Sequence, residues 1–265
     1  MADKILNTVK LSAGSVTIYE NNGLKLHCFA TGDALADVAY IVESSNALVG
    51  IELPAFKTNL ECWRKYIDSL GKPMHDVFIC CHPAGADYIK DANVYGTQGA
   101  KDSIEKGTAR SITDNLQQVF GSDFCGTNLA VINNVVEGKI QIAGIDFELI
   151  DCGESYDLII PAFNAVYTHM LGKTTHSILV SMEHIEAFIA EVQSFKDAGY
   201  ELILTSHGGV DGQDAVEEKL RYLEETKKLA QNCTTAAEFK TAMQKAFPGY
   251  DGENYLDMTA AALYK

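Results

Sequence analysis

Five residues of this chain combine a metal-binding side chain with a position at the end of an apolar run. His82 follows "VFICC", and Asp87 stands five residues further on in "HPAGADYI". His207 closes "LILTS" and is followed by two glycines. His169 follows "AVYT", and Glu154 sits in the turn of "LIDCGESYD". A histidine or carboxylate just past the carboxyl end of a buried strand is where α/β proteins present groups to a ligand. Four strand ends each carrying a His, Asp or Glu would make one face of the sheet polar and competent to bind a metal. Each residue also has a structural reading. Asp87 can cap the short helix that follows it, Glu154 can be a solvated turn residue, and each histidine can be a hydrogen-bonded loop side chain. His27, His75 and His184 are read as surface or structural.

The elements that must carry these residues can be read from periodicity. "SVTIYEN" and "LKLHCFATG" alternate and are joined by "NNG", a hairpin signal. "DVAYIVES" (Asp37–Ser44) and "NALVGIEL" (Asn46–Leu53) follow as further antiparallel strands. Thr58–Gly71 reads as a helix capped by Thr58. His75–Cys81 reads as a buried parallel strand, followed by a short strand at "NVYG" and a helix at "TQGAKDSIEKG". "NLAVINNVV", the two arms of "KIQIAGIDFELIDCG" and the two halves of "YDLIIPAFNAVYTHM" are predicted strands. Ser181–Gly199 is a helix with Ser181 as cap and an apolar stripe of Ile185, Phe188, Ile189, Val192 and Phe195. After the strand in "YELILTSHGG", helices run over Asp211–Asn232, Thr234–Phe247 and Tyr255–Tyr264. The expected architecture is α/β (α+β): a four-layer αββα sandwich of two mixed sheets flanked by helices. It is expected to form one domain over residues 1–265, with residues 234–265 as a C-terminal helical extension. Ile41, Ile51, Ile79, Val166, Leu202 and Leu204 are the expected core.

Composition narrows the function. Across 265 residues the net charge is −15, with the carboxylates dispersed. No basic stripe is available to neutralise phosphates, which speaks against nucleic acid, and the same charge speaks against an anionic membrane surface. "MADKILNTVK" lacks the apolar core of a signal peptide, and no apolar stretch reaches the ~18 residues of a membrane span. With seven cysteines and no CxxC pair, reduced thiols in a cytoplasm are expected. The expected partner is a small-molecule substrate or ligand, and the oligomeric state is left open.

The order of these segments resembles the metallo-β-lactamase superfamily over roughly Ser15 to Leu229. Its hallmark, Thr-His-x-His-x-Asp-His after an apolar strand, is matched by Cys81-His82-Pro83-Ala84-Gly85-Ala86-Asp87-Tyr88. With one residue extra, His82 and Asp87 keep their types, while Gly85 and Tyr88 stand where histidines belong. An alternative register puts His82 at the Thr and loses the first ligand. The family's Gly-His-Thr becomes Gly153-Glu154-Ser155. Its Thr-Gly-Asp, whose Asp bridges two metals, becomes Thr168-His169-Met170, and its Gly-His-Gly becomes Ser206-His207-Gly208. Its early Ile-Asp turn appears as Ile51-Glu52-Leu53. The resemblance implies a metal-dependent hydrolase with an atypical, mononuclear site held by His82, Asp87, Glu154 and His207, a set that suits one divalent ion, zinc first, with iron or manganese also served. In it Asp87 orients a water, and His169 or Tyr88 steadies a developing oxyanion. The bond cleaved is left among ester, thioester, lactone and phosphodiester. A metal-free, non-catalytic relative that binds a small molecule in the same cleft is the alternative. A di-iron redox protein is a third reading, weakened by the lost bridging carboxylate.

Overall fold

Val38–Glu43 is buried at every one of its positions, which a strand permits only when both of its faces are covered. The computed structural model, which describes residues 5–265, supplies both covers. The leader reading of "MADKILNTVK" begins in residues 1–4, outside the described residues. The first sheet has eight strands in chain order: β1 (Ile5–Lys10), β2 (Ser15–Asn21), β3 (Leu24–Ala30), β4 (Val38–Glu43), β5 (Leu48–Ile51), β6 (Met74–Phe78), β7 (Asn93–Gly96) and β8 (Asn134–Val135). Pairing is antiparallel from β1 to β5 and parallel from β5 to β8. The second sheet has six strands, β9 (Gly138–Ile142), β10 (Ile145–Asp151), β11 (Tyr156–Ile160), β12 (Ala165–Thr168), β13 (Leu202–Thr205) and β14 (Val210–Asp211). It is antiparallel from β9 to β12, and β12 pairs parallel with β13.

Alternation along β4 assigns its two faces. Val38, Tyr40 and Val42 join a core shared with Phe147, Leu158, Ile160 and Tyr167 of the second sheet. Phe78 meets Phe147 there at 4.9 Å between ring centroids. Ala39 and Ile41 point the other way, against α1 (Lys57–Ser69), where Trp63 stacks on Phe29 at 4.7 Å. The two sheets are therefore face to face with a helix over the first. α2 (Gln98–Lys106) and α3 (Thr108–Phe120) add Ala100, Ile104 and Ala109 to the core between the sheets. All six expected core residues are buried.

Four local features differ from expectation. β1 was not predicted, because it is an edge strand with every residue exposed or half-buried, so it has no buried face to write an alternating pattern. α3 was not predicted either: Gly107 ends α2 and begins α3, and only Ala109 and Thr113 of the second helix are buried. Thr58 does not cap α1, whose cap position is Phe56 without a side-chain bond. Of "NLAVINNVV", only Asn134–Val135 is strand.

By its contacts the chain divides into two compact units, one reaching Met170 and including Leu202–Val210, the other comprising Leu171–Glu201 and Asp211–Lys265. The second unit contains α4 (Met182–Ala198), α5 (Gln213–Asn232), α6 (Ala236–Ala246) and α7 (Glu253–Leu263). Ser181 caps α4 through its hydroxyl, and Gly199 closes it with φ of 65°, a left-handed conformation that glycine adopts without penalty. No helix among the described residues is long and apolar enough to cross a membrane.

Within this unit α5 buries a lysine. Lys219 is 1% exposed, and its ammonium donates to the Thr175 carbonyl and to Ser177 Oγ, both at 3.0 Å. Burial pushes its pKa down from 10.5 to about 7, against the pull of Asp211 and Glu218. Between those values the unfolded chain holds the proton that the folded chain has released, so this residue makes stability rise with pH across that window. Lys219→Met removes the slope. Relative to the variant, the wild type should gain about 3–4 kcal/mol of unfolding free energy between about pH 7 and about pH 10. Urea titrations of both proteins at several pH values test this, and parallel stability curves would refute it.

Candidate metal centre

The strand directions bring several chain segments to one end of the first unit. β5 and β6 are parallel, with Ile51 opposite Phe78, so both finish at the same end. β4 is antiparallel to β5, with Tyr40 opposite Ile51, so the residues entering β4 lie at that end too. In the other sheet β12 and β13 finish level, with Thr168 opposite Thr205. Backbone hydrogen bonds join the two sheets there. Val38 N donates to Ser206 O at 2.8 Å, and Gly208 N donates to Ala36 O at 2.9 Å. The Tyr40 hydroxyl donates to Thr205 O at 2.6 Å and accepts from Thr205 N at 2.9 Å.

His82, His169 and His207 meet at this end. The ring centroids of His82 and His207 are 4.7 Å apart, those of His169 and His207 5.3 Å, and those of His82 and His169 5.5 Å. One ligand nitrogen from each lies within 4.8 Å of the other two. Burial pushes His82 down from the ordinary imidazole value, although the charges of Glu52 and Asp37 oppose it. Burial drives His169 well down, and its two imidazole neighbours add to this. For His207 burial also acts downward, but Asp37 and the Leu35 carbonyl outweigh it and the net shift is upward.

Glu52 organises the loop that carries His82. It is 1% exposed and sits directly after β5. Its carboxylate accepts from the amides of Cys80 at 3.0 Å, Cys81 at 2.9 Å and His82 at 3.1 Å. The Tyr167 hydroxyl donates to the same carboxylate at 2.7 Å and is bonded in turn to Ser206 Oγ. One side chain thus ties the His82 loop to the ends of β12 and β13. With its oxygens committed to four donors, Glu52 serves as a support rather than a ligand.

Past Pro83 the chain passes too close to its neighbours for a further histidine. Gly85 has φ of 84°, and a Cβ there would stand 2.9 Å from Leu60 Cδ1 and 3.0 Å from Pro54 O. The structure brings His82 and His207 together, adds His169, and turns the expected carboxylates to other partners. Asp87 accepts from Asn128 at 2.9 Å, lies 3.5 Å from Lys90, and has a side chain 58% exposed. Tyr88 faces a shallow depression with Leu60, Trp63 and Ile67 of α1. Glu154 accepts from Ser103 Oγ and from Thr108 N, each at 3.2 Å, and Thr108 holds its carboxyl below the usual range. Neither Asp87 nor Glu154 belongs to the histidine group.

Two other carboxylates stand near the histidines and were not singled out in the sequence. Asp37, 2% exposed, has Oδ1 3.2 Å from His207 Nδ1 and 4.0 Å from His82 Nδ1. Neither of its oxygens has a well-aligned hydrogen-bond donor, since the His207 Nδ1–H is shared with the Leu35 carbonyl, and Asp33 Oδ2 is also buried without a partner. The signal was present in "GDALADVAYIVE": Asp37 opens a fully apolar run, and an aspartate there is buried with few donors to meet it.

These residues fit a divalent cation. Three imidazoles converge, and a buried carboxylate lacking donors stands beside them, a charge that calls for a compensating cation. Neither a protein-family model nor a curated protein sequence matches the chain. Solved structures do. The inverting sec-alkylsulfatase Pisa1 from Pseudomonas sp. superposes with a TM-score of 0.62 at 17% identity, covering 95% of this chain and 50% of that one. A metallo-beta-lactamase family protein from Thermus thermophilus gives 0.62 at 12% identity, covering 91% of both chains. A metallo-beta-lactamase from Erythrobacter litoralis gives 0.55 at 11% identity over 83% of this chain and 100% of that one. The chain spans about half the length of the alkylsulfatase. At such identities the likeness is one of fold, and the fold is that of metallo-β-lactamases.

Glu52→Ala would leave three buried amides and a buried hydroxyl without their acceptor. The variant should lose ~3 kcal/mol or more of stability, with faster hydrogen exchange at the amides of residues 80–82. A loss under ~1 kcal/mol in denaturant titration, with unchanged protection there, would contradict the supporting role.

Proposed function

We propose that this protein is a metal-dependent hydrolase acting on a small molecule, with one divalent ion held by His82, His169 and His207. The observation that carries the reading is the convergence of three histidines from three strand ends, their ligand nitrogens within 4.8 Å of one another. The set is imidazole-rich, which suits zinc, with iron or manganese as substitutes.

A bound ion would supply Lewis acidity, acidifying a water and polarising the bond to be broken. The chain's own residues supply position and charge. Glu52 fixes the backbone from Cys80 to His82, so His82 is offered from a rigid loop. His169 is held neutral by burial and by its imidazole neighbours, so its lone pair is free at ordinary pH. His207 is bound through Nδ1 to the Leu35 carbonyl at 2.9 Å. The hydrolase superfamily and the alkylsulfatase neighbour supply the reaction class by analogy of fold. Carboxylic esters, thioesters, lactones, phosphodiesters and secondary alkyl sulfates are the substrates to try.

Protein purified without chelator should contain about one equivalent of a transition metal by elemental analysis, and His82→Ala or His207→Ala should lose most of it. Zinc should raise the melting temperature of the wild type but not of these variants. Less than about a tenth of an equivalent, with no zinc response, would overturn the metal reading in favour of a metal-free binding protein. Metal content without turnover across the whole panel would leave the ion and remove the hydrolase.

A further inference from the structure

We infer that Asp37 is a positioning residue of the metal site: its carboxylate holds the Nδ1 sides of His82 and His207, so that Nε2 of both rings faces the ion together with His169. The inference rests on the metal reading above and goes beyond it, since Asp37 lies outside the histidine group.

The backbone puts Asp37 there. Asp37 and His207 are opposite one another across an isolated antiparallel bridge. The bonds that make the bridge, Val38 N to Ser206 O and Gly208 N to Ala36 O, flank the pair on either side. Such a non-hydrogen-bonded pair brings its two side chains closest together. The segment before it is anchored as well. Asp33 Oδ1 accepts from Leu35 N at 3.0 Å and from Asp37 N at 3.3 Å, and the Asp37 carbonyl accepts from Thr31 N and from Thr31 Oγ1. Proximity of the carboxylate to His207 is therefore a property of the main chain, fixed before any ion arrives.

The ring of His207 is oriented by a group that can only accept. Its Nδ1 lies 2.9 Å from the Leu35 carbonyl, so Nδ1 carries the hydrogen and Nε2 keeps its lone pair when the ring is neutral. Asp37 Oδ1 faces the same Nδ1 at 3.2 Å. For His82 the Nδ1 to Oδ1 separation is 4.0 Å, and a shift of roughly 1 Å turns it into a hydrogen bond. One carboxylate thus faces two rings on the same edge of each. Histidine ligands commonly donate their other ring N–H to a carboxylate or carbonyl, which fixes the tautomer and makes the ligating nitrogen more basic.

The energetics agree with this placement. A carboxylate buried to 2% exposure with no well-aligned donor on either oxygen, only the His207 Nδ1–H shared with Leu35, is costly. Glu52, the other buried carboxylate of this end, is satisfied by four donors, whereas Asp37 has only the shared Nδ1–H of His207 beside it. Two imidazole N–H groups backed by a dication would supply what it lacks. An aspartate retained unmet in an otherwise apolar strand entry is what a site preformed for such a load requires.

The test uses the full chain with zinc and cobalt(II) as probes. Imidazole nitrogen NMR of the zinc-loaded wild type should report Nδ1–H, Nε2-ligated tautomers for both His82 and His207. Asp37→Asn, which keeps size and removes charge, should bind zinc about 10–100-fold more weakly, while its cobalt(II) visible spectrum keeps the wild-type band shape and intensity. Asp37→Glu should recover part of the affinity. Affinity of Asp37→Asn within about threefold of wild type would overturn the inference and leave the metal site standing. So would a cobalt spectrum showing a changed ligand count, which makes Asp37 a direct ligand, or Nδ1 ligation of either histidine. If Asp37→Asn fails to fold, the tautomers of the wild type decide alone. A wild type that binds neither metal removes both the metal reading and this inference.

Discussion

Everything proposed for this chain depends on the place where its two sheets are stitched together by main chain. Sheets that pack face to face usually meet only through side chains. Here Val38 and Gly208 donate across the gap to Ser206 and Ala36, and Tyr40 exchanges two hydrogen bonds with the backbone of Thr205. The entry to β4 and the exit from β13 are held in register as if they belonged to one ladder. Hydrophobic burial between the sheets is larger in total but has little direction. The backbone bonds supply direction, and they fix where His207 and Asp37 stand.

A second carboxylate extends the same logic to the remaining strand ends. Glu52, in a left-handed conformation with φ of 57°, gathers the three successive amides of Cys80, Cys81 and His82 and the hydroxyl of Tyr167. Three amides pointing at one acceptor would be orphaned in an apolar interior, so the loop carrying His82 has few other conformations open to it. Polar groups at this end therefore fall into two classes. Glu52, which shapes the backbone, is fully satisfied, and Asp37, which stands beside His207 and His82, has no well-aligned donor on either oxygen. Unsatisfied polarity is concentrated where a cation would be useful, as expected of a site preorganised at some expense of stability.

The sequence by itself determined the layers, because burial leaves a period. β4 reads as a continuous apolar run since it is covered on both sides, the hairpin of β9 and β10 is announced by Gly144, and α4 carries its cap and its closing glycine in plain view. His82, His169 and His207 were legible because each directly follows such a run. Elements without a buried face, β1 and most of α3, left no such mark. Tertiary structure alone decided which carboxylate keeps company with the histidines. Asp87 and Glu154 sit at the right strand ends but find closer partners in Asn128, Lys90, Ser103 and Thr108. Asp37 is brought to His207 from 170 positions earlier by an isolated antiparallel bridge between the segment entering β4 and the segment leaving β13. The pairing energy that sets this bridge is carried by backbone groups common to all residues, so the side-chain pattern could mark Asp37 as a buried aspartate but not name the histidine it meets.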